Sequence, residues 1–155
     1  MKIISKVAIN ASINIVFDLA RSMDFHTYSV RNAGESIIDG RMTGLIGLDE
    51  TVTFKGKHFG FNQIFKAKII KFEYPNQFVD EMIIGSFKSF KHTHLFEYNN
   101  NLTVMTDEII YKCPFGIIGN SFDWLFLNSY LNRIFMSRVQ DIKKSCESNE
   151  WKKYL

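Results

Sequence analysis

From residue 120 to about 146 the chain carries apolar side chains at helical spacing, with no glycine or proline to interrupt them. Trp124, Leu127, Leu131, Ile134, Phe135 and Ile142 fall on one broad stripe, and Phe122, Leu125, Phe126 and Met136 widen it. Asn120 or Ser121 is placed to cap the helix, Asp123 in the first turn complements the helix dipole, and the helix runs to about Cys146. A helix of roughly 25 residues is about 38 Å long. Only a wide, bent sheet covers such a length, so the helix is expected to be buried along much of it.

The preceding residues supply that sheet. Apolar positions Ile3, Val7 and Ile9, with Ser5 in phase, alternate as in a strand. Ser12 is placed to cap a short helix over Ile13–Ala20, and Ser22 a second over Met23–Ser29. Glycines then punctuate strand-like stretches at Glu35–Asp39, Glu50–Lys57, Phe59–Glu73, Phe78–Ile84, Phe87–Tyr98 and Leu102–Cys113. Tyr74-Pro75-Asn76 is a turn, and Asn99-Asn100-Asn101 a hairpin tip, because asparagine tolerates left-handed backbone. The order is a strand, two short helices, further strands and one long helix. That order points to an α+β domain, not alternating α/β. The domain is expected over residues 1–147, with 148–155 as a tail.

Bulk properties narrow the class. A 155-residue chain with 46% hydrophobic and 23% charged residues is one ordinary globular domain. A net charge of +3, scattered along the sequence, does not argue for nucleic acid. No segment approaches the roughly 18 apolar residues of a membrane-spanning helix. Cys113 and Cys146 follow no metal or redox spacing, and the start lacks a signal-peptide pattern, so a reduced, cytoplasmic protein is expected. The fifteen phenylalanines stand out. They build either a Phe-rich core or a Phe-lined ligand cavity.

Several stretches resemble the START-like, or SRPBCC, superfamily, whose helix-grip fold is shared by birch-pollen-type plant allergens, lipid-transfer START domains and polyketide aromatase/cyclases. The stretches are Ile13–Ala20, Gly40–Leu48 with Glu50-Thr51-Val52, Phe78–Glu81 with Gly85-Ser86-Phe87, and His92–Phe96. Asp107, Tyr111, Pro114, Phe115, Gly116 and Gly119 complete the pattern. The resemblance spans nearly the whole chain and is nearest to a bacterial ligand-binding subfamily without assigned catalytic residues. One departure is Ala11-Ser12, where related chains often carry a proline before the first helix. The resemblance implies a seven-stranded curved antiparallel sheet around the C-terminal helix, with a cavity between them for an apolar or amphipathic ligand.

The polar residues worth weighing lie on three strands. Phe90, His92, His94 and Phe96 share the more aromatic face of Phe87–Tyr98, which is chosen as the inner one. Asp107 is in phase with Met105, Ile109 and Tyr111, and Asp80 with Phe78, Met82 and Ile84. In a meander these strands are neighbours, so Asp80 and Asp107 could flank the histidines. Such a cluster is either a satisfied buried polar group or a general base with its orienting carboxylate. Two histidines at i and i+2 can share a metal, but no third ligand at supporting spacing stands out, and neither metal nor cofactor is expected.

Arg138 lies by the helix stripe. It either snorkels past the sheet edge or enters the cavity as a counter-ion. Tyr111 could place its hydroxyl in the pocket. His26 and His58 are read as surface residues, and Gly44-Leu45-Ile46-Gly47 as an entrance lid. The expected ligand-binding set is Asp80, Met82, Phe90, His92, His94, Phe96, Met105, Asp107 and Tyr111 from the sheet, and Leu127, Leu131, Ile134, Phe135 and Arg138 from the helix.

Three functions follow from this reading. The first is a carrier for a lipid, isoprenoid, polyketide or aromatic molecule. The second is an aromatase/cyclase-like enzyme in which His92, His94 or Asp107 moves protons. The third is an interaction module docking through residues 113–126, with Phe115-Gly116-Ile117-Ile118 as its apolar patch. A homodimer is compatible with each.

Overall fold

The computed structural model describes residues 1–30, 34–116, 119, 121 and 123–155. Asn120, Phe122, Ile117, Ile118 and the side chain of Asp123 lie outside the described residues. Strand β1 (Lys2–Ile9) leads into helices α1 (Ile13–Ala20) and α2 (Met23–Ser29). Six strands follow: β2 (Ser36–Gly40), β3 (Thr51–His58), β4 (Phe61–Glu73), β5 (Gln77–Ile84), β6 (Ser89–Asn99) and β7 (Leu102–Lys112). A π-helical turn at Asp123–Leu127 runs into the long helix α3 (Asn128–Glu147).

All seven strands form one antiparallel sheet in the order β1-β7-β6-β5-β4-β3-β2. The sheet is a meander closed at one edge by the return of β7 to β1. Its register follows the alternation of the sequence: Phe90, His92, His94 and Phe96 of β6 are all buried, and Leu95 between them is exposed. Register shifts interrupt the β4–β5 and β2–β3 ladders, irregularities of the kind at which strands bend. Asn100 and Asn101 take φ of 49° and 63° at the β6–β7 tip.

The core is concentrated at one end of the sheet. Phe17 of α1 is fully buried, and its ring meets Phe72, Tyr74, Phe78 and Phe96 edge-on at centroid distances of 5.4, 5.1, 5.4 and 5.1 Å. Val139, Ile142 and Cys146 from the C-terminal half of α3 close this cluster. A smaller cluster of Ile3, Phe90, Ile109 and Tyr111 lies at the other end.

Four expectations are corrected. The long helix is not buried along its length: Trp124, Leu125 and Phe126 are 76, 55 and 58% exposed. Its N-terminal half lines a hollow through Leu127, Leu131, Ile134 and Phe135. Ser12 makes no side-chain cap to α1, whereas the Phe25 amide donates to Ser22 Oγ at 3.2 Å in α2. Ile84, in phase with Asp80, is exposed beyond the β4–β5 register shift. Residues 148–155 are no loose tail. Tyr154 packs on the rings of Phe25 and Tyr28, and its carbonyl accepts from Ser22 Oγ at 3.1 Å.

Candidate functional site

Between the sheet and the N-terminal half of α3 lies a cavity of about 1020 Å³. Phe54, Phe65 and Phe90 line it from the sheet, and Leu127, Leu131, Ile134 and Phe135 from the helix side. Further along the helix, Val139 and Ile142 lie in the solid core instead.

Nine of the fourteen residues expected to bind a ligand line this space: Asp80, Phe90, His92 and His94 from the sheet, and Leu127, Leu131, Ile134, Phe135 and Arg138 from the helix side. Five do not. Phe96 and Met105 belong to the core around Phe17, and Met82 packs on the smaller cluster. Tyr111 is fully buried beneath Phe87 and Phe90, and Asn128 Nδ2 donates to its hydroxyl at 3.2 Å. Asp107, on the neighbouring strand opposite His94, is buried beside the histidines and does not line the space.

The polar wall of the cavity is made by strand register. Asp80 on β5 sits directly opposite His92 on β6, and His94 on β6 directly opposite Asp107 on β7. His92 and His94 point the same way two residues apart, with ring centroids 3.8 Å apart. Asp80 Oδ2 lies 3.1 Å from His94 Nε2 and 3.8 Å from His92 Nδ1. Asp107 Oδ1 lies 2.7 Å from His94 Nδ1 and 3.4 Å from His92 Nε2, both contacts being out of line for a good hydrogen bond. Each imidazole thus has one nitrogen toward Asp80 and one toward Asp107.

Opposite charges shift one another within this group. Burial opposes ionisation of Asp107, but the imidazoles of His94 and His92 outweigh it and hold its carboxyl far below the usual range. Asp80 is lowered in the same way, chiefly by His94 against the opposing effect of burial. Burial also works against His94 as a cation, yet Asp107 and Asp80 keep its pKa above the ordinary value. His92 is lowered, by burial first and then by the charge on His94. The two imidazoles are thus pushed in opposite directions, His94 toward its charged form and His92 toward its neutral one.

Arg138 enters the cavity and does not snorkel outward. Its Nη2 donates to the Ala20 carbonyl at 2.8 Å, and among the described residues no carboxylate lies within ion-pair reach. Two histidines read as surface residues also line the cavity. His26 is buried, stacked on Phe54 at 4.4 Å, and burial pushes its pKa well down. His58 is half-buried. Glu35 Oε1 lies 3.2 Å from its Nε2, and its Nδ1 shares a hydrogen bond of 2.7 Å with the Tyr130 hydroxyl. This Glu35–His58–Tyr130 chain ties the sheet edge to α3. Gly56 makes room for it, since a Cβ there would come within 2.8 Å of Glu35 Cγ. No sequence signal joins residues so far apart.

The Gly44–Gly47 loop is pinned, not a free lid. The Met23 amide donates to the Gly44 carbonyl at 2.9 Å, the Gly44 amide to Asp24 Oδ2 at 2.8 Å, and the Ile46 amide to the Arg21 carbonyl at 3.2 Å. Ile46 is buried against the cavity as a result. Phe115, in the suggested docking run, is 82% exposed.

No protein-family model and no curated protein matches the sequence. Solved structures do share its architecture. TTHA0849 from Thermus thermophilus superposes with a TM-score of 0.74 at 12% identity, over 96% of this chain and 99% of that one. Major latex-like protein 151 from Panax ginseng gives 0.68 at 17% identity, over 94% and 97%. Aha1 from Colwellia psychrerythraea, solved in solution as a dimer, gives 0.65 at 14% identity, over 95% and 96%. At such identities the likeness establishes the fold alone, a helix-grip arrangement of one antiparallel sheet and a long C-terminal helix. No described helix is long and apolar enough to cross a membrane.

Proposed function

We propose that this chain binds a hydrophobic or amphipathic small molecule between its sheet and α3. The observation that carries the reading is the cavity of about 1020 Å³, with phenyl rings on its walls and a guanidinium at Arg138 that lacks a carboxylate partner among the described residues. Cavities of this size suit an apolar body held by dispersion and oriented by a few polar groups. Phe54, Phe65, Phe90 and Phe135 would hold the body, and Arg138 an acidic or polar head. Native mass spectrometry of freshly purified protein, and titration with a fluorescent fatty acid, test this. Ile134→Trp, which fills part of the space, is expected to abolish binding while leaving the protein folded. Probe binding unchanged by that substitution would refute the cavity as the site.

A second reading is favoured by the paired imidazoles. His94, whose pKa is raised, and His92, whose pKa is lowered, sit side by side on one cavity wall, an arrangement that suits an acid beside a base. A cyclase- or dehydratase-like reaction could use both. His92→Ala or Asp107→Asn should then retain ligand binding and lose turnover, and unchanged turnover in both removes them from the chemistry.

A further inference from the structure

Three donor atoms on the cavity wall converge in a way that simple polar pairing does not require. One donor atom from each of Asp80, His92 and His94 lies within 4.8 Å of the other two. Two of the separations, 3.1 and 3.8 Å, are already near those around a metal ion. A divalent ion with donor bonds of about 2.0–2.2 Å keeps neighbouring donors about 3.0 to 3.4 Å apart, from octahedral to tetrahedral geometry. Small side-chain rotations close the remaining gap. The strands themselves need not move, because Asp80 and His92 are register partners and His94 is two residues along.

The opposite side of each ring carries the second observation. The two nitrogens not used toward Asp80, His92 Nε2 and His94 Nδ1, both face Asp107 Oδ1, at 3.4 and 2.7 Å. All three atoms are buried without a well-aligned hydrogen bond. With an ion bound, a carboxylate there would orient both rings, each N–H pointing back to Asp107 and each lone pair forward to the ion. Here forward means toward Asp80 and the cavity. Asp80, His92 and His94 line that space, whereas Asp107 does not. An ion held by these three has protein on one side and the hollow on the other, which leaves coordination positions open to water or a ligand head. The donor set of two imidazoles and one carboxylate suits zinc and its first-row neighbours, not calcium or magnesium, which prefer all-oxygen shells.

We propose that Asp80, His92 and His94 form a binding site for a divalent first-row transition-metal ion of the zinc type, with Asp107 as the residue that positions both imidazoles. The site stands independently of what occupies the rest of the cavity. The third ligand that the sequence spacing lacked comes from the neighbouring strand.

The full chain, stripped with a chelator and dialysed against Zn²⁺ or Co²⁺ alone, tests the proposal. Elemental mass spectrometry is expected to find one equivalent of zinc, and calorimetry one binding event. Asp80→Asn and His94→Ala should each weaken zinc binding at least about a hundredfold. Asp107→Asn should weaken it about 10–100-fold with the stoichiometry kept, the usual effect of losing a carboxylate behind a ligating histidine. His58→Ala, outside the site, should bind as wild type does. X-ray absorption at the zinc edge of the wild-type protein should show two imidazole rings around the ion, a readout that needs no variant to fold. A shell without imidazole, no bound equivalent, or full binding by Asp80→Asn would overturn the proposal. None of these readouts uses an organic ligand, so failure here leaves the cavity reading to its own test.

Discussion

Truncating one phenylalanine in the core and one on the cavity wall should have unequal consequences, and the difference measures whether the hollow is real. Phe17 is fully buried and meets four rings at centroid distances of 5.1–5.4 Å. Phe17→Ala removes its burial and opens a void that the surrounding rings cannot fill, so it should cost about 3–5 kcal/mol. For a chain of 155 residues the entropy of unfolding near Tm makes 1 kcal/mol worth about 3 °C, so Tm should fall by roughly 9–15 °C. Phe135 is half-buried, with Phe90 and His92 on one side at 6.2 and 5.3 Å and the cavity beside it. Phe135→Ala creates no new void; it enlarges one of about 1020 Å³. The penalty for an added cavity largely drops out, and the transfer cost of a partly covered ring remains, about 1–2 kcal/mol. Urea unfolding of both variants, with m held equal to wild type, reads the two costs. Equal destabilisation would mean that α3 packs solidly on the sheet along its whole length, and the cavity reading would fail with it.

Stability should fall in acid partly through His26. The fold holds this ring neutral, with a pKa well below 6.5, because it is buried and faces Arg138, His92 and His94. Below pH 6.5 the unfolded chain binds a proton that the folded one refuses, so stability is lost as pH falls from the unfolded pKa toward the folded one, at up to about 1.4 kcal/mol per unit. His26→Phe should flatten that part of the stability profile, and a variant with the wild-type slope would refute the assignment. Burial, helped by Glu147, pushes the Cys146 thiol up to about 12. Iodoacetamide at neutral pH should therefore add once, at Cys113 on the cavity wall, and two adducts on the folded protein would contradict this. Gly40→Ala should be at least about 1 kcal/mol worse than Gly44→Ala, since both have positive φ but only at Gly40 does a Cβ fall 2.1 Å from a backbone oxygen, that of Thr51. Equal urea midpoints for the two would show that β2–β3 yields there.

Period and punctuation in the sequence determined the elements. Two-residue alternation placed Phe90, His92, His94 and Phe96 on the inner face of β6, and glycine and asparagine marked its ends, because both signals are local. Strand neighbours in a meander are consecutive, which brought Asp80, both histidines and Asp107 together on paper. Tertiary structure alone decided depth and range. Tyr111, Met105 and Phe96 have the right phase for the cavity but lie in solid packing, since a shared face says nothing about where a curved sheet parts from its helix. His26 and His58 carried no periodic signal, and they reach the cavity only because α2 and the end of β3 are brought to its wall. Trp124, at a helical spacing that predicts burial, is exposed because the helix leaves the sheet before reaching it. Whether an apolar residue is covered depends on the surface that arrives opposite it, and that surface comes from parts of the chain a hundred residues or so away.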